Sequence, residues 1–303
     1  MRYWDIHADD YGLSLGASED ILKCIAKNAL DSISVLTNMP DCGKYAERFK
    51  EESKKWKKEP LLSVHLNFVE GRSMAGKKRA PHLTDDEGLL RTSWGKLFFW
   101  SFCPWKYHEI KKELKWEIKA QTDEFIRYYG DNRPLRFDGH QHTQMLPVVY
   151  HALLEAIREE GYSVEYIRVT KEPVLPFLKG VSLWKTYRPV NCVKNLLLNL
   201  LALRMERTVA GAVPEQKPMF LWGVLFSGCM DEERVRKLLP VMKRKATFTN
   251  KSDANDRPYN ISPNGIDSFF IQPSTFTPLP LISSPFEIPV SFLRSSKTSW
   301  PLR

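Results

Sequence analysis

The sequence lacks the features that mark secreted, membrane-spanning and disulfide-stabilised proteins. Its five cysteines are odd in number, scattered and free of any CxxC pair, which argues against a disulfide framework and a structural zinc ribbon. No apolar run reaches the length of a membrane span. The N-terminus also lacks the basic start, apolar core and cleavage site of a signal peptide. We therefore expect a cytoplasmic protein that does not enter a membrane.

Basic residues are in excess, but they are dispersed along the chain. The net charge is +9, and Lys and Arg mix with Glu in runs such as "FKEESKKWKKEP", which is typical of a solvated helix face. No Gly-rich or basic phosphate cradle is visible. We therefore predict no nucleic-acid partner, and hydrolysis of a phosphoester is a weaker hypothesis than other hydrolytic reactions.

Strand-like and helix-like segments alternate over the first 246 residues. The β-prone runs are "RYWDIHA", "DSISVLTN", "LLSVHLNF", "LRFDGHQH", "YSVEYIRVT" and "MFLWGVLF". The stretches between them have apolar residues at helical spacing, such as Ile110, Leu114, Ile118 and Phe125 on one side of a predicted helix. This alternation predicts an α/β fold, as a parallel sheet or barrel.

The composition changes near position 246. Eight prolines fall between there and the C-terminus, Ala nearly disappears, and neither the helical nor the strand period survives. We predict an α/β domain over residues 1–246 and a Pro/Ser/Thr-rich atypical tail over 247–303. The tail is either a natural disordered segment or a replacement of the native C-terminus.

Acidic and histidine side chains follow three of the predicted strands. They are Asp9, Asp10, His65, Asp138, His140 and His142. The carboxyl ends of parallel strands meet at one edge of a sheet, where sites are assembled. One carboxylate and two imidazoles could hold a divalent ion that activates water. A second carboxylate could then take the proton from that water.

Each of these positions also has a structural interpretation. A lone His beside a strand is usually a satisfied structural residue, an Asp-Gly pair forms turns, and an Asp in "DDYGLSLGASED" could cap a helix. Ligand-type residues at three separate strand ends favour a metal site. We interpret the remaining histidines as structural or surface residues. They are His7, His82, His108 and His151.

The motifs "HADDYGLS", "VHLNFVEGR" and "FDGHQHTQMLP", in this order, resemble the YdjC family of carbohydrate deacetylases, which includes chitooligosaccharide deacetylases. The resemblance covers about residues 1–246. It implies an irregular, TIM-like (β/α) barrel, and removal of N-acetyl groups from amino sugars with a divalent metal, usually Mg²⁺. A homodimer is also implied.

The resemblance assigns a role to each site residue. It implies that Asp9 is the general base and that Asp10, His65 and His140 are the metal ligands. Residues that orient the ligands or face the substrate would be Asp138, His142 and Asn67. Two imidazoles suit Zn²⁺ or another transition ion better than Mg²⁺, so the identity of the metal stays open.

One departure from the family concerns the C-terminal part. The family usually has a late strand that ends in a His-Pro pair, whereas this sequence has no His after His151. We therefore expect incomplete or replaced last strands, and an inactive sugar- or metal-binding homologue is the alternative to a working enzyme. Six aromatic residues could stack on sugar rings or pack in the core. They are Trp94, Phe98, Phe99, Trp100, Trp105 and Trp222.

Overall fold

Strands and helices alternate along the chain in the computed structural model, which describes residues 3–130, 133–174, 187–216, 219–227, 237 and 266–271. The strands are β1 (Tyr3–Tyr11), β2 (Ser32–Val35), β3 (Leu61–Leu66), β4 (Leu135–Gly139), β5 (Val164–Ile167), β6 (Leu221–Trp222) and β7 (Ile266–Ile271). The helices are α1 (Leu15–Ala26), α2 (Cys42–Ser53), α3 (Trp94–Ser101), α4 (Pro104–Tyr129), α5 (Pro147–Glu160) and α6 (Pro189–Ala212), with a 3-10 helix over His140–Met145.

The strands form one sheet with the order β5-β4-β3-β2-β1-β7-β6, in which neighbouring strands are parallel. The first of the six predicted β-prone runs overlaps β1, which continues three residues further to Tyr11, and each of the other five runs contains one of the strands β2 to β6. Helices connect β1 to β2, β2 to β3 and so on to β5, as parallel strands require. The predicted α/β class is therefore confirmed.

Strand β7 lies inside the region that the sequence predicts as an atypical tail. The backbone of Ile266–Ile271 pairs with Tyr3–Ala8 of β1, and two of its residues also pair with β6. The rest of 247–303 lies outside the described residues. The division into a domain over 1–246 and a tail over 247–303 therefore stays a prediction.

Helix α4 shows how the helices cover the sheet. Its predicted apolar face, formed by Ile110, Leu114, Ile118 and Phe125, is buried. The helix begins at Pro104, where the first turn tolerates proline. Among the helices that the structure describes, none is both long and apolar enough to cross a membrane.

The interior beside β1 and β2 is polar rather than apolar. His7 Nδ1 lies 2.6 Å from Ser32 Oγ, and His7 Nε2 lies 2.7 Å from Ser34 Oγ. Ser34 also donates a hydrogen bond to Asp138 of β4. Because the two serines of β2 are small, His7 of β1 comes within 3.7 Å of Asp138 of β4, measured from Nε2 to Oδ2, across the two strands between them.

The two ends of the sheet approach each other. Leu221 N, at the start of β6, donates to Lys171 O beyond β5 at 2.9 Å. The Gln216 side chain bonds both the N–H and the C=O of Ile167 at 2.7 Å each. Gln216 therefore satisfies two backbone groups at the outer edge of β5.

Candidate metal centre

Three of the predicted site residues meet at the carboxyl edge of the sheet. Asp10 lies near the end of β1, His65 near the end of β3, and His140 directly follows β4. Asp10 Oδ1 is 2.8 Å from His140 Nδ1 and 3.1 Å from His65 Nε2. The structure thus brings together the carboxylate and the two imidazoles that the sequence singles out.

Strand β1 departs from regular geometry where its two aspartates lie. Its register with β2 shifts between Ala8 and Tyr11, and Asp10 has a left-handed φ of 66°. In a regular strand, neighbouring side chains point to opposite faces, whereas here both aspartates are buried with polar partners. Gly12 follows with φ +97°, and a Cβ there would lie 2.9 Å from Leu36 O. Glycine is therefore needed to complete this turn.

Asp9 is held by two side chains from inside the sheet. Arg168 Nη1 donates to both of its oxygens, at 2.9 and 3.1 Å, and His7 Nε2 lies 2.9 Å from Oδ1. Burial by itself raises the pKa of Asp9, but the charges of Arg168 and His65 outweigh it and hold this pKa well below its usual value. Asp9 is therefore an ionised carboxylate at neutral pH.

Arg168 is a residue of this site that the sequence analysis missed. Its guanidinium is buried and bridges Asp9 and Asp138, with Nη2 donating to Asp138 Oδ2 at 2.8 Å. It directly follows β5, so it lies at the same sheet edge as the predicted residues. A signal was present, because an arginine inside the β-prone run "YSVEYIRVT" requires an anionic partner when it is buried.

The two imidazoles have matching sets of partners. His65 directs Nε2 to Asp10, and its Nδ1 lies 2.6 Å from Asp138 Oδ1. His140 directs Nδ1 to Asp10, and its Nε2 lies 3.0 Å from Glu70 Oε1. In metal sites, a carboxylate on the far nitrogen of a histidine orients the ring and leaves the near nitrogen to bind the ion. Both rings are thus oriented toward the position where Asp10 lies.

The carboxylates around the imidazoles make this a site for positive charge. Burial by itself lowers the pKa of His65, yet the charges of Asp9 and Asp138 raise it to about 10. For His140, burial is likewise outweighed, and hydrogen bonds to Asp10 and Glu70 raise the pKa to about 9. Burial raises the pKa of Asp10, but its bonds to both imidazoles hold that pKa below its usual value.

The remaining predicted residues have different surroundings. His142 is buried, its Nδ1 lies 3.3 Å from Thr170 Oγ1, and burial holds its pKa well below the usual value. Asn67 Oδ1 accepts hydrogen bonds from the backbone N–H groups of Val69 and Glu70, so Asn67 organises the loop after β3. His7, interpreted from sequence as structural or surface, is buried directly beside Asp9.

The aromatic side chains divide between the core and the surface. Trp100 and Trp222 are buried, as the core-packing interpretation expects. Phe98 stacks on Trp94 with ring centroids 5.3 Å apart. Phe99 and Trp105 are exposed.

Among the described residues, three groups of side chains have the composition of a metal site. They are Asp10–His65–His140, His7–Asp9–Asp138 and His82–Glu109–Glu113. In the second group the Arg168 guanidinium already bridges the two carboxylates, and in the third Lys106 Nζ lies 2.8 Å from His82 Nε2. The first group offers one carboxylate and two imidazoles, each backed by a carboxylate, within 4.8 Å. This donor set fits a divalent ion.

Comparison with protein families identifies the group to which this chain is related. A family model described as YdjC-like protein matches residues 5–250. The chain belongs to the YdjC-like family. The resemblance drawn from "HADDYGLS", "VHLNFVEGR" and "FDGHQHTQMLP" is therefore confirmed.

Curated relatives of this YdjC-like chain are named carbohydrate deacetylase. The chain is 25% identical to the Danio rerio protein over 173 residues, which cover 57% of the chain and 51% of that protein. It is 28% identical to the Homo sapiens protein over 177 residues, covering 58% and 49%. For the Thermoanaerobacter pseudethanolicus protein the values are 22% over 175 residues, covering 58% and 64%. The YdjC-like chain thus spans about half the length of the two animal relatives.

The YdjC-like fold is similar to a solved structure of a proposed cellobiose-phosphate cleavage protein from Enterococcus faecalis V583. The TM-score is 0.51 at 15% sequence identity, and the match covers 89% of this chain and 80% of the other. At this identity the likeness concerns the fold alone.

Proposed function

We propose that this chain is a metal-dependent hydrolase that removes the N-acetyl group from an amino sugar or a chitooligosaccharide. The observation that carries the proposal is the convergence of Asp10, His65 and His140, with the ionised Asp9 directly before Asp10 in the chain. The carbohydrate deacetylases among its relatives support the substrate class.

Asp10, His65 and His140 would hold the divalent ion. When bound, such an ion polarises the acetamide carbonyl and makes a neighbouring water more acidic. The family resemblance favours Mg²⁺, while the two imidazoles favour Zn²⁺ or another transition ion. The neutral form of both imidazoles is needed for ligation, so the ion would displace the protons that the site otherwise holds.

Asp9 is the base in this proposal. It is ionised at neutral pH, so it can accept a proton from the attacking water without first losing one. Arg168 and His7 hold its carboxylate in place. Water oxygen bonds to the acetyl carbon, the C–N bond breaks, and Asp9 returns the proton to the departing amine. The products are acetate and a free amino sugar.

We also propose that the sheet closes into an irregular (β/α) barrel. The hydrogen bond between Leu221 N and Lys171 O joins the segments at the two ends of the sheet and supports this closure. Closure would place the carboxyl ends of all the strands around one opening, where Asp9, Asp10 and His65 lie.

Acetate release from chitobiose tests the proposed function. Protein treated with a chelator should be inactive, and Mg²⁺, Zn²⁺ or Co²⁺ should restore activity. Asp9→Asn should lower kcat by about 10²–10⁴-fold while metal binding is retained, because Asp9 is not among the proposed ligands. Asp86→Asn, on the surface, is the matched control and should retain activity.

A wild-type protein no faster than Asp9→Asn would contradict the enzyme proposal. If both proteins still bound a divalent ion, that outcome would favour the alternative of a sugar- or metal-binding homologue without turnover.

A further inference from the structure

Glu70 lies in the loop that follows β3, five residues beyond His65 in the chain, and it faces His140. Its Oε1 is 3.0 Å from His140 Nε2, and its side chain is 47% exposed. The comparable carboxylate behind the other imidazole, Asp138, is completely buried. Glu70 thus forms the solvent-facing counterpart of Asp138.

The backbone of Glu70 is held from both sides. Its C=O accepts hydrogen bonds from Asn38 Nδ2 at 2.8 Å and from Asn67 Nδ2 at 3.0 Å, and its N–H donates to Asn67 Oδ1 at 3.3 Å. Gly71 follows with φ +82°, and a Cβ there would come within 2.8 Å of Asn38 O. Two buried asparagines and a required glycine therefore fix where the Glu70 side chain begins.

The position of Glu70 has a consequence for the ring of His140. The two nitrogens of a neutral imidazole cannot both be donors, so the tautomer depends on what each nitrogen faces. A carboxylate can only accept a hydrogen bond, and each nitrogen of His140 faces one: Nδ1 faces Asp10 and Nε2 faces Glu70. An ion held together with Asp10 would displace the proton from Nδ1, and Glu70 would keep the remaining proton on Nε2.

We propose that Glu70 is a positioning residue for His140, which holds the ring in the orientation and tautomer that ligate a divalent ion through Nδ1. This rests on the proposed function only in assuming that Asp10, His65 and His140 form the metal site. The chemistry repeats that of Asp138 on His65, with the opposite ring nitrogen. Loss of such a carboxylate typically weakens metal affinity by about 10–100-fold.

Zn²⁺ affinity of the chelator-treated full-length chain, measured by calorimetric titration, tests the proposal. Glu70→Leu removes the acceptor and should weaken Zn²⁺ binding by about 10–100-fold. Glu70→Gln keeps an oxygen that can accept the Nε2 proton, so its loss of affinity should be smaller. Glu87→Leu is the matched control, since Glu87 is exposed in the same β3–α3 connection, and it should bind as the wild type does.

The absorption spectrum of the Co²⁺ protein provides a second measurement that does not depend on activity. A reoriented His140 changes the geometry around the ion, so Glu70→Leu should alter the visible bands while Glu87→Leu leaves them unchanged. If Glu70→Leu fails to fold, Glu70→Asp replaces it. The shorter aspartate side chain places its carboxylate too far from His140 Nε2 for a hydrogen bond, so this variant should also bind Zn²⁺ more weakly.

The outcomes separate the positioning role from the metal site itself. Zn²⁺ affinity within twofold of wild type in Glu70→Leu, together with an unchanged Co²⁺ spectrum, would overturn the role of Glu70. The metal site would still stand if Asp10→Asn abolished binding. Failure of the wild-type protein to bind any of these ions would overturn both proposals.

Discussion

Asp9 and Asp10 are neighbours in the chain but have different partners. The left-handed backbone at Asp10 and the bulge in β1 turn both side chains inward. Asp9 then bonds Arg168 and His7, whereas Asp10 bonds the two imidazoles. Cationic or hydrogen-bonding groups thus separate two carboxylates that would otherwise repel each other.

Arg168→Lys tests how Asp9 is kept ionised. Lysine keeps the charge but lacks the planar pair of nitrogens with which the guanidinium bonds Asp9 through Nη1 and Asp138 through Nη2. We expect the free energy of unfolding to fall by about 1.5–3 kcal/mol, the contribution of one charged hydrogen bond. We also expect the pKa of Asp9 to rise, which ¹³C NMR titration of the carboxyl groups of the metal-free protein would measure.

Arg136→Lys is the control for this experiment. Arg136 is the other arginine buried in the described sheet, and it pairs with Glu165 and Asp5 rather than with Asp9. Its replacement should leave the pKa of Asp9 unchanged. Equal titration curves for Asp9 in the wild type and in Arg168→Lys would contradict the prediction.

At the scale of elements, α4 does more than cover the sheet. One side of the helix carries Glu113, Glu117 and Gln121 at a spacing of four residues, all buried. Gln121 bonds the backbone of Asn67 in both directions, and Glu113 accepts from the backbone and the ring of His82. This polar stripe holds the long connection between β3 and α3, and with it the loop that carries Glu70.

Glu117→Gln should loosen this connection. The Glu117 carboxylate accepts hydrogen bonds from Ser73 Oγ, Met74 N and Ala75 N, so an amide would set its NH₂ group against donors. We expect a loss of about 1–3 kcal/mol in the free energy of unfolding and faster hydrogen exchange at the amides of Met74 and Ala75. Unchanged exchange at these two amides would show that the carboxylate does not anchor the loop.

Glu124→Gln on the same helix is the control for Glu117→Gln. Glu124 pairs with Arg127 on the helix surface, away from the β3–α3 connection. Its replacement should leave the exchange of both amides unchanged.

For the whole molecule, the buried charges determine how stability depends on pH. The raised pKa values of His65 and His140 add stability that is fully present below their ordinary value of 6.5 and is lost as the pH rises through about 9 and 10. The lowered pKa values of Asp9 and Asp138 add stability that is present above 3.8 and is lost as the pH falls below it. The metal-free protein should therefore be most stable between about pH 3.8 and pH 6.5, where both contributions are fully present.

A divalent ion should change this profile on the alkaline side. Ligation needs neutral imidazoles, so proton competition weakens as the pH rises and the ion binds more tightly. We expect the difference in Tm between Zn²⁺-loaded and metal-free protein to grow from pH 6 to pH 9 in calorimetric scans. Asp10→Asn should abolish this difference, and a difference independent of pH would contradict the prediction.

The expected homodimer and cytoplasmic location stay predictions.

The sequence predicts well those features that depend on neighbours along the chain. Alternating β-prone and helical segments predicted β1 to β6 and the buried face of α4, because residue periodicity reflects local geometry. Residue types at the strand ends also predicted that Asp10, His65 and His140 would share one edge, since parallel strands place their carboxyl ends together.

Tertiary structure alone decided which groups pair at that edge. Arg168 reaches Asp9 across 159 residues, and His140 reaches Asp10 across 130. The order of the strands and the bulge in β1 set these pairings, and neither leaves a periodic signal in the sequence. The sequence by itself therefore determined the class of fold and the ligand-type residues, while the tertiary structure decided that Arg168 holds Asp9 and that Glu70 faces His140.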